Sequence, residues 1–210
     1  LLGLFSVQSY YIVQDWFTPA PVLDPLASPG ESLYLIDQAK VHVRESDEFE
    51  TKVRAVADRL NIAPEWLMAA IYTESKFDPS VKNHKGSGAT GLIQFMVPAV
   101  KDLNRRLGTK YYMSDIQAMS ATDQLDLVEA YLETIQERYR DFHSLTDVYL
   151  AILYPKGLEF GQDEAFFSTP TRAYRQNSGL DENRDGHVTR SDIDARMARI
   201  FPTAAAIAIN

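Results

Sequence analysis

The sequence predicts a mainly α-helical fold, with an extended arm before it and a short oxygen-rich loop after it. Three observations lead there. From about residue 46 to 154 apolar residues recur three and four positions apart, the spacing of one helix face. Two of the periodic runs are preceded by a Ser-x-x-Asp quartet, at 120–123 and 144–147, the spacing at which a serine caps a helix start. Four prolines crowd residues 18–30, TPAPVLDPLASPG, where they withhold the donors a regular ladder needs.

Taken in chain order, the first charged residue is Asp15, and the fourteen uncharged residues before it fall short of the roughly 18–20 that span a bilayer. This stretch fits a trimmed export signal or anchor, or an apolar strand or short helix packed on the main domain, and the second is the expectation. With the proline run and its neighbours Trp16 and Phe17, residues 1–30 are expected to serve as an anchor or an assembly contact, within an arm over 1–45. Partial alternation in SLYLIDQAKVHVR, 32–44, predicts one or two short strands.

Ser46 is placed to cap a helix with Asp47 and Glu48 in its first turn and Phe49, Val53, Val56 and Leu60 as its buried stripe. In IAPEWLMAAIYTES, Pro64 suits the first helical turn, and Leu67, Ala70, Ile71 and Glu74 share a side. Loop residues fill 78–91. A short apolar LIQFM leads to a helix from about Pro98 to Leu107, stopped by Gly108. After SATD a long helix turns Leu125, Val128, Leu132, Ile135 and Tyr139 inward, and after SLTD the run VYLAILY ends at Pro155. This gives about five helices over 46–155. The domain reading is an arm over 1–45, a helical core over 46–165 and a C-terminal segment over 166–210.

Composition narrows the function. Hydrophobic residues make up 45% and charged residues 24%, the mix of a soluble protein with a full core. There is no cysteine, which excludes a thiol nucleophile and thiolate-held metals. A net charge of -8 with no basic face argues against nucleic acid as a partner. The four histidines, His42, His84, His143 and His187, lack metal-binding helical spacing, and His84 reads as a surface histidine of the 78–91 loop.

One feature stands apart. An apolar helix, LMAAIY, ends by presenting Glu74. Alone, this is a solvated helix-end charge. It is followed, however, by Ser75-Lys76-Phe77-Asp78-Pro79, then by Gly88-Ala89-Thr90-Gly91-Leu92-Ile93-Gln94, and later by Tyr154-Pro155-Lys156-Gly157. These three pieces, over roughly 50–160, resemble the lytic transglycosylase family, which shares its core with goose-type lysozyme. Pro155 and Lys156 depart from the Asn and small residue usual in the third motif. The resemblance implies a lysozyme-like helical domain acting on peptidoglycan glycan strands. It implies Glu74 as the general acid and base, with substrate contacts at Ser75, Gly91, Gln94 and Tyr154. The product would be a 1,6-anhydromuramyl end, and hydrolysis is the near relative of that reaction. A non-catalytic wall-binding or structural component that keeps the fold is the alternative. Location would follow the substrate: periplasm, cell envelope or a phage particle.

The chemistry agrees with the resemblance. A glycosidic oxygen leaves most easily when protonated by a carboxyl whose pKa is raised toward neutrality by a low-dielectric setting. A Glu leaving an apolar helix near Phe77, Leu92 and Phe95 would have that setting. Gly91 lets backbone approach a bound chain, Gln94 offers a donor and an acceptor, and Tyr154 could hold Glu74 in position.

Residues 181–192, DENRDGHVTRSD, carry the second motif. Asp181, Asn183 and Asp185 occupy the first, third and fifth places, Gly186 the sixth, the His187 carbonyl the seventh, Thr189 the ninth and Asp192 the twelfth. This resembles a single EF-hand calcium loop, in which alternate side chains converge on a hard cation around a glycine turn. Asp192 replaces the bidentate Glu, so weak Ca2+ binding with tolerance of Mg2+ is expected. With no second loop, a structural clip is the expected role, and the chemistry itself needs no cofactor.

Overall fold

The computed structural model of the chain describes residues 32–83 and 87–208. The arm over 1–30 and His84 therefore lie outside the described residues. In place of the strands expected over 32–44, the chain forms a short helix, α1 (Ile36–Ala39), entered through Leu35 in the left-handed region at φ 62°. Leu33, Leu35, Ile36, Ala39 and Val43 are all buried, so the apparent alternation is the imprint of a tight turn pressed onto the core.

The next helices follow the local signals closely. Helix α2 (Ser46–Arg59) buries Phe49, Val53, Val56 and Ala57, but its cap is Glu45 and Ser46 is its first helical residue. Helix α3 (Pro64–Ser75) starts at the predicted proline. Helix α4 (Val97–Leu107) stops at Gly108, whose φ of 67° suits a residue without Cβ. A short α5 (Met113–Ala118) was not predicted separately. Helix α6 (Ala121–Arg138) is capped by Ser120 and α7 (Leu145–Leu153) by Ser144, each accepting the N–H of the aspartate three residues on. Leu125, Val128, Leu132 and Ile135 point inward as expected, while Tyr139 is only half-buried.

Helix α7 is buried on every face, as its run LTDVYLAIL suggests, and it packs against α3, α6 and α9. Beyond it come a 3-10 turn (Pro155–Glu159), strand β1 (Phe167–Ser168), α8 (Arg172–Asn177), strand β2 (His187–Val188), α9 (Arg190–Ile200) and α10 (Pro202–Ala205). The strands pair antiparallel, Phe167 opposite Val188 and Ser168 opposite His187.

The C-terminal segment shares the core. Leu180, Val188, Ile193, Met197, Phe201 and Ala204 join the same buried cluster as α2, α3 and α7. Trp66 on α3 donates its indole N–H to the Ala204 carbonyl at 2.9 Å. Asp147, buried at the start of α7, accepts from Arg140 at 2.7 Å and from Arg190 at the start of α9 at 2.6 Å. The described residues are thus mainly helical and organised around α3 and α7.

Candidate active site

Helix α3 ends one residue after Glu74, and the way it ends sets the site. Lys76 is the C-cap at φ 55° and Phe77 follows at φ 67°, two residues with side chains in the left-handed region where glycine is the usual choice. Such conformations cost on the order of 1 kcal/mol each. Burial offsets this: Phe77 is fully enclosed, edge-on to Phe49 with centroids 6.3 Å apart and 5.8 Å from the Tyr72 ring. Lys76 lays its ammonium over Tyr72, 3.8 Å from the ring centroid. The stop that the sequence lacks as a glycine is supplied by an aromatic anchor.

Glu74 itself has neither hydrogen bond nor ion pair among the described residues. It keeps part of its surface accessible, yet enough protein surrounds the carboxyl that burial pushes it up to about 8. No neighbouring charge contributes to that shift. Two tyrosines respond to it: half-buried Tyr131 on α6 and buried Tyr149 on α7 are held well above the usual phenol range, first by desolvation and then by the negative charge of Glu74. Tyr131 donates its hydroxyl to the Ala151 carbonyl at 3.0 Å and meets Phe95 edge-on at 6.5 Å. Burial thus favours the protonated carboxyl, and Tyr131 and Tyr149 lie near enough to feel its charge. The sequence singles out neither tyrosine: Tyr131 is not in the inward stripe read from 125–139, and Tyr149 is one residue of the run before Pro155.

Asp78, the nearest carboxylate downstream, accepts from the backbone N–H of Ser80 at 2.8 Å and from its hydroxyl at 2.7 Å. It closes the turn after α3. Among the described residues, no carboxylate contributes to the raised pKa of Glu74.

The second motif folds into a knot beside this helix end. Thr90 and Phe95 exchange backbone hydrogen bonds at 3.1 and 2.8 Å, and Gly91 donates to Val81 at 3.0 Å. Gly91 has φ 85°, and a Cβ there would lie 2.4 Å from the side-chain oxygen of Gln124. Gln124, fully buried on α6, ties three segments together: it accepts from Leu92 N–H at 2.8 Å and donates to Pro79 at 2.7 Å and Ile116 at 2.8 Å. Only tertiary contact gives this glutamine its meaning.

The other expected contacts are placed as follows. Ser75 is buried and donates its hydroxyl to Ile71 at 3.1 Å, one turn back in its own helix. Gln94, at φ 54°, spends both amide hydrogens on Gly91 and Val81, at 3.1 and 3.4 Å, so its side chain offers an acceptor and no donor. Tyr154 is half-buried and packs its ring against Phe160, Phe166 and Phe167.

Residues 52–157, half of the chain, match the family described as the transglycosylase SLT domain. The chain belongs to that family. No curated protein matches the sequence. An SLT domain implies lytic-transglycosylase-type cleavage of peptidoglycan, and Glu74, Gly91, Gln94 and Gly157 all fall within the matched segment.

The loop over 181–192 lies outside the SLT match. Gly186 turns at φ 89°, β2 lies within the loop, and α9 begins in its last three residues. Asp181 accepts from Gly186 N–H at 2.9 Å, Asp185 N–H at 3.2 Å and the Tyr174 hydroxyl at 2.7 Å. Burial would raise its carboxyl, but these donors prevail and hold it below the ordinary aspartate value. Asn183 accepts from Asp185 N–H, and Asp185 from His187 N–H, both at 2.9 Å. Asp192 uses one oxygen for the N–H and hydroxyl of Thr189 and the other for Glu182 N–H. Among the described residues no three His, Asp or Glu side chains are gathered as a metal cluster. The turn fits a cation loop, but Asp192 is engaged in capping α9, and its short arm would have to leave Thr189 to reach an ion.

Proposed function

We propose that the chain is a peptidoglycan lytic transglycosylase that cleaves the bond between N-acetylmuramic acid and N-acetylglucosamine, with Glu74 as sole general acid and base. The observation that carries this is the place of Glu74, at the end of α3 inside the SLT segment, its side chain without a hydrogen bond or ion pair among the described residues and surrounded closely enough that burial raises its carboxyl to about 8. Protonated Glu74 gives its proton to the glycosidic oxygen as the bond to muramyl C1 breaks, and the sugar's own N-acetyl group supports the developing positive charge. The glucosamine end leaves. Glu74, now a carboxylate, takes the proton of the muramyl 6-hydroxyl as that oxygen closes on C1. The 1,6-anhydro product forms and the acid is restored. A site with one carboxylate suits this sequence better than one needing a second as nucleophile.

Mass spectrometry of purified peptidoglycan incubated with wild type and with Glu74→Gln tests the proposal. Anhydromuropeptides from the wild type, reduced roughly 100- to 10,000-fold in the variant, are expected for loss of a positioned acid. Reducing ends in their place would make the reaction hydrolytic. No products from either protein would leave a wall-binding or structural part.

The substrate would place the protein at the cell envelope, by export or aboard a virion. Among the described residues no helix is long and apolar enough to cross a membrane, so an anchor or assembly contact remains a proposal for residues 1–30. The loop over 181–192 is read as a structural Ca2+ clip, with Asp181, Asn183, Asp185, the His187 carbonyl, Thr189 and Asp192 as its ligands.

A further inference from the structure

The sequence after Gly157, LEFGQDEAFF, falls beyond the SLT match and carries three phenylalanines. Together with Tyr154 they form one aromatic group. Tyr154 lies 5.2 Å from Phe167, 5.9 Å from Phe166 and 6.3 Å from Phe160, and Phe160 meets Phe166 edge-on at 5.5 Å. Phe167 is buried and completes the core, whereas Tyr154, Phe160 and Phe166 keep part of their surface in solvent. Phe160 does not itself pack on the core.

The group is held from two sides. A Cβ on Gly157 would approach Tyr154 Cδ1 to 3.2 Å and Phe166 Cε1 to 3.4 Å, so the glycine admits both rings. From behind, Phe166 N–H donates to Val188 at 2.7 Å and Phe167 pairs with Val188, which fixes the rings to the 181–192 loop. The group begins where α7 ends: Tyr154 follows Leu153 directly, and α7 also carries the Ala151 carbonyl that takes the Tyr131 hydroxyl.

We propose that Tyr154, Phe160 and Phe166 form a stacking ledge for an N-acetylglucosamine ring of the glycan strand, beyond the sugars flanking the cleaved bond. This rests on the glycan-cleaving reading of the Glu74 site and extends it. The apolar C–H face of a pyranose suits partly open rings, and Lys156, with its ammonium 5.9 Å from the Phe160 centroid, can donate to an acetamide carbonyl. The segment's charge selects the occupant. Glu159, Asp163 and Glu164 are exposed around a single lysine, an acidic surround that repels the carboxylates of a stem peptide and leaves a neutral sugar unaffected.

The test is calorimetric titration of a β-1,4-linked N-acetylglucosamine tetramer, which carries no peptide, into the Glu74→Gln chain and into the same chain bearing Phe160→Ala or Phe160→Trp. Because Phe160 sits at the open edge of the group and touches the core only through Tyr154 and Phe166, the Ala variant is expected to stay folded with a small drop in Tm, while binding falls roughly tenfold, the effect of losing one covered ring face. Trp should restore binding. Equal affinity with Ala and Phe, or no tetramer binding by the Glu74→Gln chain, overturns the ledge. A loss seen only with peptide-bearing fragments overturns it in favour of a stem-peptide site. Muropeptide release by the wild type is scored separately: release with an unaffected tetramer affinity sinks the ledge alone, and absent release sinks the cleavage reading.

Discussion

Replacing Glu74 by Gln should make the protein more stable, by an amount that grows as pH rises from about 4.5 to about 8 and is constant above that. The folded chain keeps the Glu74 proton up to about pH 8, whereas the unfolded chain releases it near the ordinary 4.5. Between those values the native state binds more protons, so stability falls as pH rises through the window, and above it the penalty stays constant. At about 1.4 kcal/mol per unit of pKa, the rise from 4.5 to about 8 sets a ceiling near 5 kcal/mol. Glu74 retains some accessible surface, so water screens part of this, and about 3 kcal/mol is the working expectation. Gln imitates the protonated carboxyl and carries no such penalty. Melts of both proteins should therefore coincide near pH 5 and separate by about 10 °C near pH 9, with the variant higher, at the roughly 2–4 °C per kcal/mol of a domain this size. The same proton predicts that kcat/KM on peptidoglycan is level below about pH 8 and drops about tenfold per pH unit above it. A Tm difference that does not change with pH would refute the reasoning, because the carboxyl would then titrate as an exposed one. A wild type more stable than the variant at pH 9 would do so more sharply, since the ionised form would have a partner.

Three further outcomes are expected. Gly91→Ala combines a φ of 85° with a Cβ 2.4 Å from the Gln124 oxygen, so it should lower stability by about 2–3 kcal/mol in a urea melt and reduce wall clearing. Asp147→Ala strands Arg140 and Arg190 around a buried vacancy at the join of α7 and α9; a loss of about 3–5 kcal/mol is expected, and a change below 1 kcal/mol would mean that the pair adds nothing. Excess EDTA should lower the Tm of the chain, and Ca2+ should restore it; an unchanged melt would show that the 181–192 loop closes on its own hydrogen bonds without an ion.

The sequence by itself determined whatever depends on neighbours a few residues apart. Pro64, Gly108, Ser120 and Ser144 mark helix ends because a cap reaches three or four residues, and they were legible as written. The motifs around Glu74 also lie within short stretches of chain, and they led to the SLT family that residues 52–157 match. Where local signals misled, long contacts had overridden them. The segment 32–44 alternates like a strand but is pressed as α1 onto the core, and α3 stops without a glycine because Phe77 anchors the chain. The tertiary structure decided the rest. Tyr131 and Tyr149 come from helices α6 and α7, far from Glu74 in sequence, into reach of its charge, and Gln124 binds segments that lie 8 to 45 residues away. A sequence can only propose Glu74 as the acid. Packing removes the water around it, and desolvation, a property of everything nearby, is what raises its carboxyl toward neutral pH.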